Sequence, residues 1–197
     1  MHYYSKKQTS DLNLKKINIQ VNNIQFEMFS GSGVFSKKKI DKGTALLLKK
    51  PIIKNEQKIL DLGCGIGIVG IYIKKVFPKT NIFLSDINQR AIYLSKKNLE
   101  LNKLKGKVVN SDGFEKIDEL FDVILFNPPQ LAGKDVCFRL IKESFEHLNK
   151  DGFLELVARH NKGGKSLSAK MNGVFGNVKD LVKGSGYRVY FSQKKIV

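Results

Sequence analysis

Residues 17–21 (Ile-Asn-Ile-Gln-Val) alternate apolar and polar positions, and so do residues 24–28 (Ile-Gln-Phe-Glu-Met), with Asn22-Asn23 between them. A period of two around residues that tolerate positive φ predicts a β-hairpin. A loop over 30–36 and a basic run at Lys37, Lys38 and Lys39 follow. Asp41 is then placed to cap a helix running through Thr44 to Lys50, with Pro51 as its stop. From there the pattern is regular. Strands are expected at 58–62, 81–85, 107–110, 121–126 and 153–158. Helices are expected at 66–77, 89–101, 132–148 and, shorter, 166–172. The run 121–126 is apolar almost throughout, as in a strand covered on both faces. Two last runs, 178–182 and 187–191, flank Gly184-Ser185-Gly186 and read as an antiparallel hairpin. Alternating strands and helices predict an α/β fold, a mostly parallel sheet with helices on both sides and an antiparallel C-terminal edge.

The chain has 197 residues, which is one domain with a sizeable core. Residues 1–30 read as an N-terminal extension carrying the hairpin and 31–197 as the main domain. The net charge of +17 changes the picture more than the length does, because such an excess favours a polyanionic partner, nucleic acid first. Cys64 and Cys137 form neither a disulfide framework nor a zinc pattern, and His147 and His160 lack partners at ligand spacing. No metal is expected, and a reducing cytoplasm is the expected setting. No apolar run reaches membrane-spanning length and residues 1–14 lack a signal-peptide core, so no membrane partner is expected.

The first candidate chemistry is the strand-to-turn stretch 59–67, Ile-Leu-Asp-Leu-Gly-Cys-Gly-Ile-Gly. Its glycines let backbone N–H groups approach a ligand, and a helix N-terminus points at the same place. Residues 65–70 also match G-x-G-x-x-G, and Asp86 ends the next strand where a ribose contact is expected, so a dinucleotide oxidoreductase is the first alternative. Asp61 argues against it: a carboxylate just before the glycines repels a pyrophosphate but can position a cationic methionyl group. Nothing downstream supplies hydride chemistry either. Asp112-Gly113-Phe114 follows the third strand of the sheet. There Asp112 can accept from an adenine amino group, with Phe114 or Ile87 packing on the ring.

The second candidate is Asn127-Pro128-Pro129, ending the apolar strand at the same sheet edge. An amine conjugated to a base or a carbonyl is a poor nucleophile because its lone pair is delocalised. The Asn127 side-chain oxygen and the Pro128 carbonyl can accept hydrogen bonds from that NH₂, favouring a pyramidal nitrogen aimed at a methyl donor. Proline fixes φ and stiffens the carbonyl. Catalysis then rests on alignment and electrostatics.

Asp61-Leu62-Gly63-Cys64-Gly65-Ile66-Gly67 together with Asn127-Pro128-Pro129-Gln130 resembles class I S-adenosylmethionine-dependent methyltransferases acting on amino nitrogens. His2-Tyr3-Tyr4-Ser5, Gly33-Val34-Phe35-Ser36, Asp41-Lys42-Gly43-Thr44 and Gly186-Tyr187-Arg188-Val189 look like the small methyltransferase domain. That family includes the RsmC-type ribosomal RNA guanine-N2 methyltransferases and stand-alone archaeal relatives. The resemblance covers nearly the whole chain. It implies a Rossmann-like, seven-stranded sheet and S-adenosylmethionine as donor, leaving as S-adenosylhomocysteine. Asp61, Gly63, Gly65, Asp86, Ile87, Asp112, Gly113 and Phe114 would lie at the donor, and Asn127, Pro128 and Pro129 would hold the target amine. Phe35, Thr44, Gln130, Lys37, Lys38, Lys39 and Lys134 are the substrate-side candidates. The position after the two prolines is usually aromatic in enzymes that stack on a flipped base, and here it is Gln130. A protein glutamine amide therefore stays open as substrate, as does a non-catalytic RNA-binding module. Tandem-domain relatives leave monomer and homodimer both open. Arg139, Arg159 and the Gly163-Gly164-Lys165-Ser166 loop are further candidates for RNA phosphate contact; the loop lacks the first glycine of a nucleotide-triphosphate loop, where Arg159 stands.

Overall fold

A computed structural model describes residues 11–34, 40–129 and 133–195. Strands β1 (Lys15–Val21) and β2 (Ile24–Ser30) form a separate antiparallel pair, with Val21 opposite Ile24. Asn22 supplies the left-handed turn at φ 50°. Helix α1 (Lys42–Leu47) is capped by Asp41, as expected, but stops three residues early: the backbone leaves the helix at Leu48 before Pro51 is reached.

The rest alternates in order: β3 (Lys58–Leu62), α2 (Ile68–Val76), β4 (Asn81–Asp86), α3 (Gln89–Leu101), β5 (Lys107–Asn110), β6 (Phe121–Phe126), α4 (Lys134–Glu146), β7 (Leu148–Arg159), α5 (Lys165–Phe175), β8 (Lys179–Gly184) and β9 (Tyr187–Gln193). One seven-stranded sheet results, in the order β5-β4-β3-β6-β7-β9-β8. Strands β3 to β7 run parallel and β9 is antiparallel to both neighbours.

Successive residues of the central strands face opposite ways. Ile59, Val123, Leu125 and Val157 enter a core with α2 and α3, and Ile19, Val21, Phe26 and Met28 of the hairpin belong to that same core. Leu60, Ile124, Leu154 and Leu156 enter a second core with Leu140 and Ile141 of α4 and Met171 and Phe175 of α5. Burial on both faces explains why these strands read as continuous apolar runs.

Several boundaries differ from the pattern. Helix α2 begins at Ile68 because Gly67 sits in the left-handed region at φ 88°. Helix α4 ends at Glu146 with His147 as its cap, so Leu148 pairs with Phe121 and opens β7. Gly152 fits there because a Cβ would lie 3.0 Å from the carbonyl oxygens of Asn149 and Asp122. Helix α5 runs on to Phe175, where Gly176 caps it at φ 70°. Among the described residues no helix is long and apolar enough to cross a membrane.

Candidate active site

From β3 the chain winds outward through β4 and β5, then returns to β6 on the other side of β3. Loops leaving β3 and β6 therefore part company, and a crevice opens at the strands' carboxyl ends. Gly63 follows β3, Asn127 follows β6, and Leu62 and Phe126 are register partners. The crevice is a cavity of about 210 Å³ whose wall includes Gly63, Gly65, Asp86, Ile87, Ala91, Asp112, Gly113, Asn127, Pro128, Pro129, Val136 and Leu140. A smaller cavity of about 40 Å³ adjoins it, lined by Thr44, Asp61, Gly63, Cys64, Gly65 and Asn127 among others.

The glycine turn is held open from behind. Gly63 and Gly65 adopt φ of 67° and 56°, and a Cβ on Gly65 would meet nothing within 4 Å, so its α-carbon faces free space. The Gly65 N–H donates to Asp86 Oδ2 at 2.9 Å. From α3, the Ser95 hydroxyl donates to the Gly65 carbonyl at 2.9 Å and the Asn98 amide to the Ile66 carbonyl at 2.9 Å. Residues three apart share a helix face, so one side of α3 clamps the turn.

The acids are placed differently from one another. Burial pushes the Asp86 carboxyl up to about 6, against the opposing pull of the Asn88, Gly65 and Ile87 N–H groups. Asp61 is buried, accepts from the Gly70 N–H at 3.0 Å, and is pushed up to about 7 by desolvation, with Asp86 nearby adding to the rise. Asp112 is ion-paired with Arg139 Nη2 at 2.6 Å, and Arg139 Nη1 meets Glu143 at 2.9 Å. Arg139, expected at RNA phosphate, is thus committed to a carboxylate pair at the cavity wall. Its spacing of four from Glu143 was the available signal.

Phe114 corrects an expectation. It lies in the second core at 6% exposure and stacks on the His147 ring at 4.3 Å. His147 in turn is held by the carbonyls of Glu143 and Ile117. Phe114 is therefore turned under α4, and Ile87 is the one of the two that stands in the wall.

Asn127 is tied to α1. Its Nδ2 donates to Thr44 Oγ1 at 2.9 Å and reaches toward Asp41 Oδ1 at 3.5 Å; among the described residues no donor meets its Oδ1. Thr44, expected on the substrate side, is buried and donates its hydroxyl to Asp41. Asp41, the expected helix cap, also stands in the cavity wall. Tyr187 was not singled out for the site, yet a Cβ on Gly43 would lie 3.2 Å from its ring and 3.4 Å from Asn127 Oδ1. Lys134 is exposed on the first turn of α4. Phe35, Lys37, Lys38, Lys39 and Gln130 lie outside the described residues, as do His2 to Ser5.

An adenosyl group with a cationic methionyl end fits this donor set. Ile87, Ala91, Val136 and Leu140 give an apolar slot, Asp86 and Asp112 give acceptors in the same wall, and the face of Gly65 is open. A pyrophosphate fits poorly, because Asp61 lies against the glycine turn and the Gly65 N–H, a donor it would need, is already given to Asp86.

The methyltransferase small domain family model matches residues 25–191. The uncharacterized protein YbxB of Bacillus subtilis is 36% identical over 199 residues, covering 98% of each chain. Ribosomal RNA small subunit methyltransferase C of Haemophilus influenzae is 42% identical over 135 residues, covering 66% of this chain and 41% of its own. Its Shewanella amazonensis counterpart is 35% identical, covering 83% and 48%; the chain thus spans about half the length of these enzymes. Among solved structures, the Thermus thermophilus 16S rRNA N2 G1207 methyltransferase, in complex with AdoMet and guanosine, superposes with a TM-score of 0.82 at 23% identity, over 96% of this chain and 52% of that one. At that identity the likeness establishes the fold. With the family model matching most of the chain and YbxB alike end to end, this chain belongs to the methyltransferase small domain family and is a methyltransferase.

Proposed function

We propose that the protein transfers a methyl group from S-adenosylmethionine to an exocyclic amino group of RNA, with guanine N2 of ribosomal RNA as the target. One observation carries the reading. The Asn127 side-chain oxygen has no donor among the described residues, and Asn127 shares a cavity wall with Asp86, Ile87 and Asp112. An acceptor for an amine and the holders of an adenosyl group therefore face one space.

S-adenosylmethionine, when bound, supplies an electrophilic methyl group on a positively charged sulfur. Asp86 would accept from the ribose hydroxyls, Ile87 and Leu140 would hold the purine, and Asp112 would accept from its amino group. Gly63 and Gly65 leave room along the backbone, and Asp61 attracts the methionyl cation. Asn127 Oδ1 and the Pro128 carbonyl accept from the target NH₂ and orient its lone pair. No protein base is needed before transfer, because the nitrogen's proton becomes acidic as the methyl arrives. Preorganised acceptors and alignment supply the acceleration.

Charge and relatives favour RNA over protein. Arg159, Lys162, Lys165 and Lys183 are exposed. Arg159 ends β7, three residues beyond Leu156, the register partner of Phe126. Asn127 follows Phe126, so Arg159 stands two residues past its level, roughly 7 Å further along the same edge at about 3.3 Å per residue. Its guanidinium is steadied over the Tyr187 ring, 5.3 Å from the centroid. A cationic edge beside the amine site suits a polyanion whose target base must leave its stack to react. The relatives named as ribosomal RNA methyltransferases match at 35–42% identity. The test is transfer of labelled methyl from S-adenosylmethionine to total RNA and total protein of cells lacking this protein, with Asn127→Ala alongside. Label in RNA that digests to N2-methylguanosine, and is lost in Asn127→Ala, is the expected result. Label in protein alone would move the substrate to a glutamine amide, and label in neither would refute the reading.

A further inference from the structure

The first turn of α1 and the end of β6 meet side chain to side chain, and the donors and acceptors there can be assigned one by one. Asp41 Oδ1 accepts from the Gly43 and Thr44 backbone N–H groups at 2.9 and 3.1 Å. Asp41 Oδ2 accepts the Thr44 hydroxyl. A threonine hydroxyl has one proton, and here it is committed to Asp41. What Thr44 Oγ1 offers Asn127 is therefore a lone pair, so the amide must present its NH₂. The reversed amide would set its oxygen against two acceptors, Thr44 Oγ1 at 2.9 Å and Asp41 Oδ1 at 3.5 Å. Gly43 allows the packing: a side chain there would crowd Asp41 Oδ1 at 3.0 Å and Asn127 Oδ1 at 3.4 Å.

We propose that Asp41 and Thr44 are positioning residues for methyl transfer. Together they fix the rotational state of the Asn127 amide, so that its nitrogen is used within the protein and its oxygen is left for the substrate amine. The helix cap of α1 thus sets the polarity of the amine site. This rests on Asn127 being the amine acceptor, so the experiment must separate the two claims.

Thr44→Val keeps the side chain's shape and deletes the hydroxyl, while Thr44→Ser keeps the hydroxyl. Rates at saturating total RNA, the apparent KM for RNA and calorimetric binding of S-adenosylmethionine are measured for both, with Asn127→Ala as reference. Thr44→Val is expected to lower the saturating rate by about 10- to 100-fold, the scale of a small misplacement of a reacting group. KM and donor affinity should stay within about twofold, and Thr44→Ser should recover most of the rate. A second readout needs no activity: the Asn127 side-chain NH₂ resonances in a ¹H–¹⁵N spectrum should shift and lose exchange protection in Thr44→Val but not in Thr44→Ser. If Asn127→Ala abolishes transfer while Thr44→Val keeps the parental rate and amide resonances, the positioning role is overturned and the amine site stands. If Asn127→Ala leaves transfer intact, the amine-site reading itself fails.

Discussion

Asn98 joins the hairpin to the glycine turn, and its replacement gives the sharpest test of how the fold supports the site. Among the described residues strand β2 pairs only with β1, so its other edge carries backbone groups that need partners. Asn98, on α3 and fully buried, accepts from the Phe29 N–H at 2.6 Å and donates to the Phe29 carbonyl at 3.0 Å. Its other amide proton goes to the Ile66 carbonyl at 2.9 Å. One side chain therefore completes a strand edge and pins the turn. Asn98→Leu has similar volume and removes all three bonds. Each stranded buried group costs about 1–3 kcal/mol; Phe29 is half-buried and water can reach part of its loss, whereas Ile66 is buried. The expected net destabilisation is about 3 kcal/mol, a large share of the 5–15 kcal/mol typical of a domain. With a urea slope of about 2 kcal/mol per M, the midpoint should fall by about 1.5 M. Donor affinity should fall too, because the Ile66 carbonyl belongs to the turn that faces the cavity. Asn102→Ala is the control: it loses an exposed bond to the Glu27 carbonyl and a part-buried one to the Asn98 carbonyl, both replaceable by water, and should move the midpoint by less than about 0.5 M, the scale of one net hydrogen bond. Equal midpoints for Asn98→Leu and Asn102→Ala would refute the argument.

Other expectations follow from buried charge and from the basic edge. The Asp61 and Asp86 carboxyls are pushed up to about 7 and about 6, and their ionised forms are what attract a cation. Calorimetric affinity for S-adenosylmethionine should therefore rise from pH 5 to pH 8, and Asp61→Asn should flatten the upper half of that rise. Glu155 is buried, with one oxygen unpartnered among the described residues and the other accepting from the Ile52 N–H at 3.3 Å; desolvation pushes it from 4.5 to about 7. Between those values the folded state holds a proton that the unfolded state has lost, so stability falls as pH rises through the window. Glu155→Gln should match the parent near pH 4.5 and exceed it at pH 8 by up to about 3 kcal/mol in urea unfolding. Replacing Arg159, Lys162 and Lys165 together by Gln should weaken RNA binding and make its salt dependence shallower, with S-adenosylmethionine affinity unchanged by calorimetry. An unchanged salt slope would remove this edge from the RNA interface.

What the sequence made legible, and what it hid, divides along a physical line. Strand 121–126 and the turn 63–67 were readable because one element enforces each: a fully buried strand has no polar face, and a glycine turn shows itself as glycines. Both lie where the chain order reverses, so the cavity's position followed from topology before any side chain was placed. Asp41 and Asn98 were not readable as site residues, because each acts across elements far apart in sequence. Asp41 looked like any helix cap, since that job is local; its contact with Asn127 spans 86 residues. Arg139 reads as a cation at this edge, and its spacing from Glu143 signals one carboxylate partner, but nothing local brings Asp112, 27 residues earlier, to its other nitrogen. Phe114 erred the other way. An aromatic just after a ligand-edge turn suggests stacking on a ligand, but the space beneath α4 takes the ring, with His147 as its partner. The residues that line the cavity were thus the easier ones to find. Those that hold them in place emerge only once the sheet has brought α1, α3 and α4 around one edge, and it is on those residues that variants should most sharply separate folding from chemistry.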